Sequence, residues 1–162
     1  MASALVLDLR EEGGALRVEV KGAITEAAEF GPVLSTQTPR VHIDLSGVAR
    51  INSSGVREWI RFIRQASAAR QVILERCSPA MVRQFNMIAN AAGAATVASL
   101  MLPYHCKACD ADRTIVLDVL DGPALIHETA PCPDCAAPME FDDLSDGYLS
   151  FLARRGQPSG AT

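Results

Sequence analysis

The sequence predicts an α/β fold: a mixed sheet with packed helices, followed by a small β-hairpin module held by cysteines. Two observations carry this. Over roughly the first 100 residues, short runs of alternating apolar residues take turns with runs of helical spacing, the pattern of crossover units on a sheet. After Pro103 that pattern stops, and two Cys-x-x-Cys pairs, turn residues and acids take over.

Ala4–Leu9 is strand-like, Glu11-Glu-Gly-Gly14 supplies a turn, and Ala15–Val20 alternates apolar with charged, so the pair reads as a hairpin that Gly22 ends. Thr25 is placed to cap a short helix through Ala27, Ala28 and Phe30, before Gly31-Pro32. Val41–Leu45 is the next strand, and Ser46–Asn52 reads as a loop. A helix from about Ser54 to Ala69 follows, with Val56, Trp59, Ile60, Ile63 and Ala66 on one side and Arg57, Arg61 and Arg64 on the other. Gln71–Glu75 is a strand, and Ser78-Pro79 is an N-cap and first-turn pair. The helix they open runs through Met81, Phe85 and Ile88, and Ala95–Leu100 closes the unit as a strand. The order β-β-α-β-α-β-α-β implies a mixed or parallel sheet. Beyond it, Thr114–Val119 and Ala124–His127 read as a hairpin, Met139–Phe141 as a third strand and Tyr148–Leu152 as a brief helix. The expected domains are 1–102, a cysteine module at 103–153 and a frayed tail at 154–162.

Hydrophobic residues make up 49% of 162 and charged residues 21%, enough apolar material for a core and too little charge for disorder. The net charge of -4 is unevenly spread. Residues 1–100 hold eleven Lys/Arg and nine Asp/Glu, and residues 101–162 hold four and ten. The start of the chain lacks the basic and apolar regions of a secretory signal. Gln84–Cys106 is uncharged, but Asn86, Asn90, Gly93 and Pro103 interrupt it, which argues against a membrane helix. A soluble, cytoplasmic protein is expected.

Cys106-Lys-Ala-Cys109 and Cys132-Pro-Asp-Cys135 are two knuckles with 22 residues between them. Two such turns bring four thiolates onto one ion, and the spacing is close to the usual zinc pattern of roughly 15–20 residues. Two disulfides or free thiols are the alternative. Four thiolates close a tetrahedral sphere and leave no position for water, so the expected cofactor is one structural Zn²⁺ held by Cys106, Cys109, Cys132 and Cys135. His105 adjoins the first knuckle. Cys77 reads as a small buried hydrophobe, and His42 and His127 as strand-surface residues.

Asn52, Ser53 and Ser54 stand where the chain enters the long helix, with Asn or Ser available to cap it. A phosphate placed there would meet free N–H groups and the positive end of the helix dipole. The strand Ile43-Asp-Leu-Ser-Gly-Val48 and the helix start Asn52-Ser-Ser-Gly-Val56 resemble the STAS domain of anti-sigma-factor antagonists, and the resemblance covers roughly 4–102. It implies a STAS-like mixed sheet and a protein-binding switch module, whose partner is an anti-sigma factor or switch kinase that phosphorylates the serine at Ser53. The family has Asp where this chain has Asn52, which keeps the capping geometry and loses the charge. The family does not ordinarily carry a zinc ribbon.

The expected function is therefore a non-enzymatic signalling module that binds a regulatory protein through Asn52, Ser53, Ser54, Arg57, Arg61 and Arg64. The alternative is a nucleic-acid-binding or transcription-associated zinc ribbon, against which stand the acidity of 101–162 and the scarcity of aromatics, 5% of the chain. The sequence shows no Gly-rich phosphate loop, Ser/His/Asp arrangement or open metal site, so no enzyme is expected.

Overall fold

The computed structural model describes residues 3–121 and 124–155. Strands β1 (Val6–Glu12), β2 (Ala15–Ile24), β3 (Arg40–Ile51), β4 (Gln71–Glu75) and β5 (Thr96–Val97) form one sheet in the order β1-β2-β3-β4-β5. β1 is antiparallel to β2, and the remaining pairs are parallel. The β1–β2 turn is Gly13-Gly14, both at positive φ, as a tight two-residue hairpin requires. Helices α1 (Gly31–Leu34), α2 (Ser53–Ala69) and α3 (Pro79–Met87) make the three crossovers. Right-handed crossovers that advance in one direction put all three on one face of the sheet. Leu16, Val18, Val20, Val41, Ile43, Leu45, Val72 and Leu74 are buried on that face. Arg17, Glu19, His42, Asp44 and Glu75 alternate with them on the other, more open face.

α2 buries Val56, Trp59, Phe62, Ile63 and Ala66, one apolar stripe at helical spacing. Phe30 stacks on Phe62 with ring centroids 4.3 Å apart, and Trp59 Nε1–H donates to the Ala91 carbonyl at 2.7 Å. Ile60, expected in this stripe, is only half-buried on its flank.

Several local expectations are corrected. β2 passes through Gly22, whose φ of +102° lets the backbone lie against the Ala4 carbonyl, where a Cβ would sit 2.4 Å away. The short helix begins after Phe30 rather than at Thr25, because Pro32 suits a first turn. Thr25 Oγ1 accepts a local bond from the Ala27 N–H. The supposed loop Ser46–Asn52 is mostly strand: β3 runs on to Ile51, pairing with β2 through register shifts. α3 ends at Met87, and Ile88 is its C-cap.

Ala95–Leu100 is divided at Ala98. β5 ends at Val97, and β6 (Ser99–Cys106) opens a second, antiparallel sheet with β7 (Ala111–Asp118), β8 (Thr129–Pro131) and β9 (Pro138–Phe141), in the order β7-β6-β9-β8. The expected hairpin of Thr114–Val119 with Ala124–His127 does not form. β7 pairs instead with β6 over its full length, from Ser99↔Asp118 to Cys106↔Ala111. Helices α4 (Ser145–Tyr148) and α5 (Ser150–Arg154) complete the described chain.

The two sheets share one apolar core, in which Leu100, Leu102, Tyr104, Met139, Phe141, Phe151 and Leu152 join Cys77, Met81, Phe85 and Val97. Phe85 and Phe151 pack with centroids 5.4 Å apart. The Asn86 side chain donates to the Tyr148 carbonyl and accepts from the Phe151 N–H, both at 2.9 Å. Arg154 and Arg155, expected in a frayed tail, are anchored. Arg154 donates to the Phe85 and Asn86 carbonyls at the end of α3, and Arg155 to the Gly93 and Ala95 carbonyls. Burial lowers the Arg155 pKa. The rest of that tail, 156–162, lies outside the described residues. Among the described residues no helix is long and apolar enough to cross a membrane.

Candidate functional site

The antiparallel ladder places one cysteine pair at each hairpin tip. Cys106 ends β6 and Cys109 lies in the β6–β7 turn, while Cys132 and Cys135 occupy the β8–β9 turn. All four sulfurs lie within 4.8 Å of one another. Cys106 and Cys135 sulfurs are 3.5 Å apart, and those of Cys109 and Cys132 3.7 Å. A tetrahedron with metal–sulfur bonds of ~2.3 Å has edges of ~3.8 Å, so these separations fit one thiolate-bound ion. None of the four is in a disulfide. Four cysteines that can hold a metal ion are thus assembled as the spacing suggested.

The backbone prepares the ligands. The Cys109 N–H points at the Cys106 sulfur, and this bond, with further help from Ala108, draws the Cys106 pKa down to about 7. The Ala137 N–H acts on Cys135 in the same sense, but thiol–thiol bonding to Cys106 and burial outweigh it and leave Cys135 raised. Bonding to Cys106 and burial raise Cys109 to about 12. Cys106 and Cys132 are buried, and Cys109 and Cys135 exposed. His105 turns away from the sulfurs and bonds Asp112 at 2.7 Å.

Two ion pairs around the knuckles had no signal in the sequence, since each crosses between hairpins. Arg113 reaches Asp134 of the second knuckle, and Lys107 meets Glu140 at 2.8 Å. Cys77 is buried, and burial pushes its thiol far above the ordinary range, so it is an inert core residue. His42 is half-buried against Glu75 at 2.6 Å, and the His127 carbonyl accepts the Tyr104 hydroxyl.

The second region is the start of α2. Asn52 is the cap: its Oδ1 accepts the Gly55 N–H at 2.7 Å. Ser53 and Ser54 are exposed in the first turn and take no part in the capping bond. The entry is fixed to β2 by the Asn52 N–H on the Ile24 carbonyl at 3.2 Å. Gly55 packs so closely there that a Cβ would lie 2.0 Å from the Ile24 oxygen. Asn52 Nδ2–H also donates to Glu26 at 3.3 Å, and with the Glu26 N–H it holds that carboxyl below its ordinary value. Glu26, unnoticed in the sequence, puts a carboxylate beside a cap that has none. Arg57, Arg61 and Arg64 are all exposed along the outer side of α2. Arg61 lies 3.4 Å from Glu58, and among the described residues Arg57 and Arg64 have no ion-pair partner.

No family model matches the chain, and no curated protein matches it in sequence. A mixed α/β architecture and a four-cysteine cluster are therefore read from its own residues.

Proposed function

We propose that this chain is a non-enzymatic, cytoplasmic protein-binding module of the anti-sigma-factor antagonist kind, a STAS-like domain joined to a structural zinc ribbon. The observation that carries this reading is the start of α2: a rigidly pinned turn that leaves Ser53 and Ser54 free, followed by three exposed arginines with a single neighbouring acid. A turn fixed by Asn52 and Gly55 costs a partner little ordering entropy, and three exposed arginines beside one glutamate favour an acidic surface. The partner is a regulatory protein such as an anti-sigma factor or switch kinase. Phosphorylation of Ser53 would add charge at the positive end of α2 and next to Arg57, changing complementarity without unfolding the helix. The metal is zinc, because four thiolates in a tetrahedron suit that ion and leave it no open position for catalysis.

Nucleic-acid binding by the ribbon is the weaker reading. Its cations are spent within the fold: Lys107 on Glu140, Arg113 on Asp134, and Arg154 and Arg155 on backbone carbonyls. Affinity capture with wild type beside Ser53→Asp tests the proposal. Wild type should retain a protein partner that Ser53→Asp retains less well at unchanged circular dichroism. Equal capture by both moves the docking surface elsewhere, and salt-sensitive retention of nucleic acid promotes the ribbon reading.

A further inference from the structure

Sheet edges expose unpaired N–H and C=O groups, and proteins blunt them with charge, proline or short length. Three edges here are blunted in this way. β1 carries Asp8, Arg10, Glu11 and Glu12, β5 is two residues long, and β8 is three residues ending in Pro131. β7 is the exception. It is eight residues long, and its centre Thr114-Ile-Val-Leu117 has neither charge nor proline. Ile115 is 37% exposed and Val116 49%, with Leu120 and Leu125 also exposed close by in the chain.

The outward groups of β7 follow from what β6 does on its far side. The Met101 N–H donates to the Cys77 carbonyl at 2.9 Å, the Cys77 N–H to the Ser99 carbonyl at 3.1 Å and the Asp142 N–H to the Pro103 carbonyl at 2.9 Å. Ser99, Met101 and Pro103 thus face away from β7. In an antiparallel ladder, the bonded pairs are then Leu100, Leu102 and Tyr104 with Leu117, Ile115 and Arg113. The main chain of Thr114, Val116 and Asp118 points outward, and among the described residues nothing pairs with Thr114 or Val116.

We propose that this edge is an interaction surface for a second copy of the chain, β7 pairing with β7 antiparallel about a two-fold axis at Val116. The charges select that register. Centring on Ile115 would set Asp112 opposite the Asp118 of the second copy, a like-charge pair. Centring on Val116 sets Thr114 opposite Asp118, a hydroxyl facing a carboxylate. It also sets Ile115 opposite Leu117, so that two partly exposed apolar side chains cover each other on the core side of the joined sheet. An isologous contact of this kind closes as a dimer and leaves no further edge open at β7.

Sedimentation of the full chain over a concentration series, purified with its metal under reducing conditions, tests this. Wild type should reach twice the 17.3 kDa monomer mass as concentration rises. Val116→Pro removes an outward N–H that β6 does not use, and Val116→Lys puts a charge at the axis, where two copies would oppose it. Both variants should remain monomeric with wild-type circular dichroism. A wild type that is monomeric at every concentration overturns the proposal, whether or not it then binds an extended peptide. So does a dimer that persists in either folded variant.

Discussion

Cys77, just beyond the end of β4, and Leu100 of β6 lie side by side in a parallel bridge that ties the second sheet to the first. Bonds of 2.9 Å from Met101 to Cys77 and 3.1 Å from Cys77 to Ser99 hold it, and the Arg76 N–H adds a 2.8 Å bond to Ser99 Oγ. Since Cys106 ends the strand that Ser99 begins, the cysteine cluster is tied to the core of the first sheet.

Removing an ion held by the four cysteines should therefore be felt at Trp59, the single tryptophan, on the buried face of α2. A ligand at a thousand times its Kd stabilises by about 4 kcal/mol. At ~2–4 °C per kcal/mol for chains of this size, a strong chelator should lower the Trp59 fluorescence midpoint by about 10 °C. An unchanged midpoint, with metal loss confirmed by elemental analysis, would separate the two sheets energetically.

The cap residue is Asn52, not Ser53, and stability should say so. Asn52→Ala loses the bond to the Gly55 N–H and should cost ~1 kcal/mol in urea denaturation, whereas Ser53→Ala should be near neutral. The reverse ranking would contradict the capping geometry.

Gly55→Ala should be among the most damaging single substitutions. The new methyl runs into the Ile24–Thr25 peptide, with the Ile24 oxygen at 2.0 Å and its carbon at 2.5 Å, so either α2 or β2 must move. A loss of ~4 kcal/mol or failure to fold is expected, since such clashes belong to the severe end of the range. A stable Gly55→Ala protein would show that the pinned turn is unnecessary.

Asp44 gives the acid limb of stability. Burial pushes its carboxyl up, but the Arg76 guanidinium and the Ser46 N–H outweigh this and leave it below the ordinary value. A carboxylate with a depressed folded pKa contributes stability that is present above the unfolded pKa, about 3.9, and is lost as pH falls through the folded value. Wild type should lose this contribution below about pH 4, and Asp44→Asn should flatten that part of a denaturation-against-pH profile. Identical profiles would remove Asp44 from the account of acid sensitivity.

The sequence was most legible where structure is local. β4, the Ser78–Pro79 helix start, the apolar stripe of α2 and the paired cysteines all follow from neighbours a few residues apart. It was least legible where a distant strand decides. Nothing in Ala95–Leu100 says that Val97 pairs with Leu74 while Leu100 pairs with Leu117. Thr114–Val119 looked for a partner ahead of it and found one behind, because β6 offers eight residues against the short return segment. The acidity of 101–162 concealed Tyr104, Met139, Phe141, Tyr148 and Phe151, which complete the common core. At the helix start the motif was visible, but Glu26 belongs to it only through folding.

The docking role of α2 is tested most directly by calorimetric titration of the captured partner against wild type and the double variant Arg61→Glu/Arg64→Glu. Both side chains are exposed and neither packs in the core, so folding, followed by circular dichroism, should be unchanged. Binding should weaken at least about tenfold, or ~1.4 kcal/mol, because two charges that favour an acidic surface are reversed. Equal affinity for the two proteins would contradict α2 as the docking face.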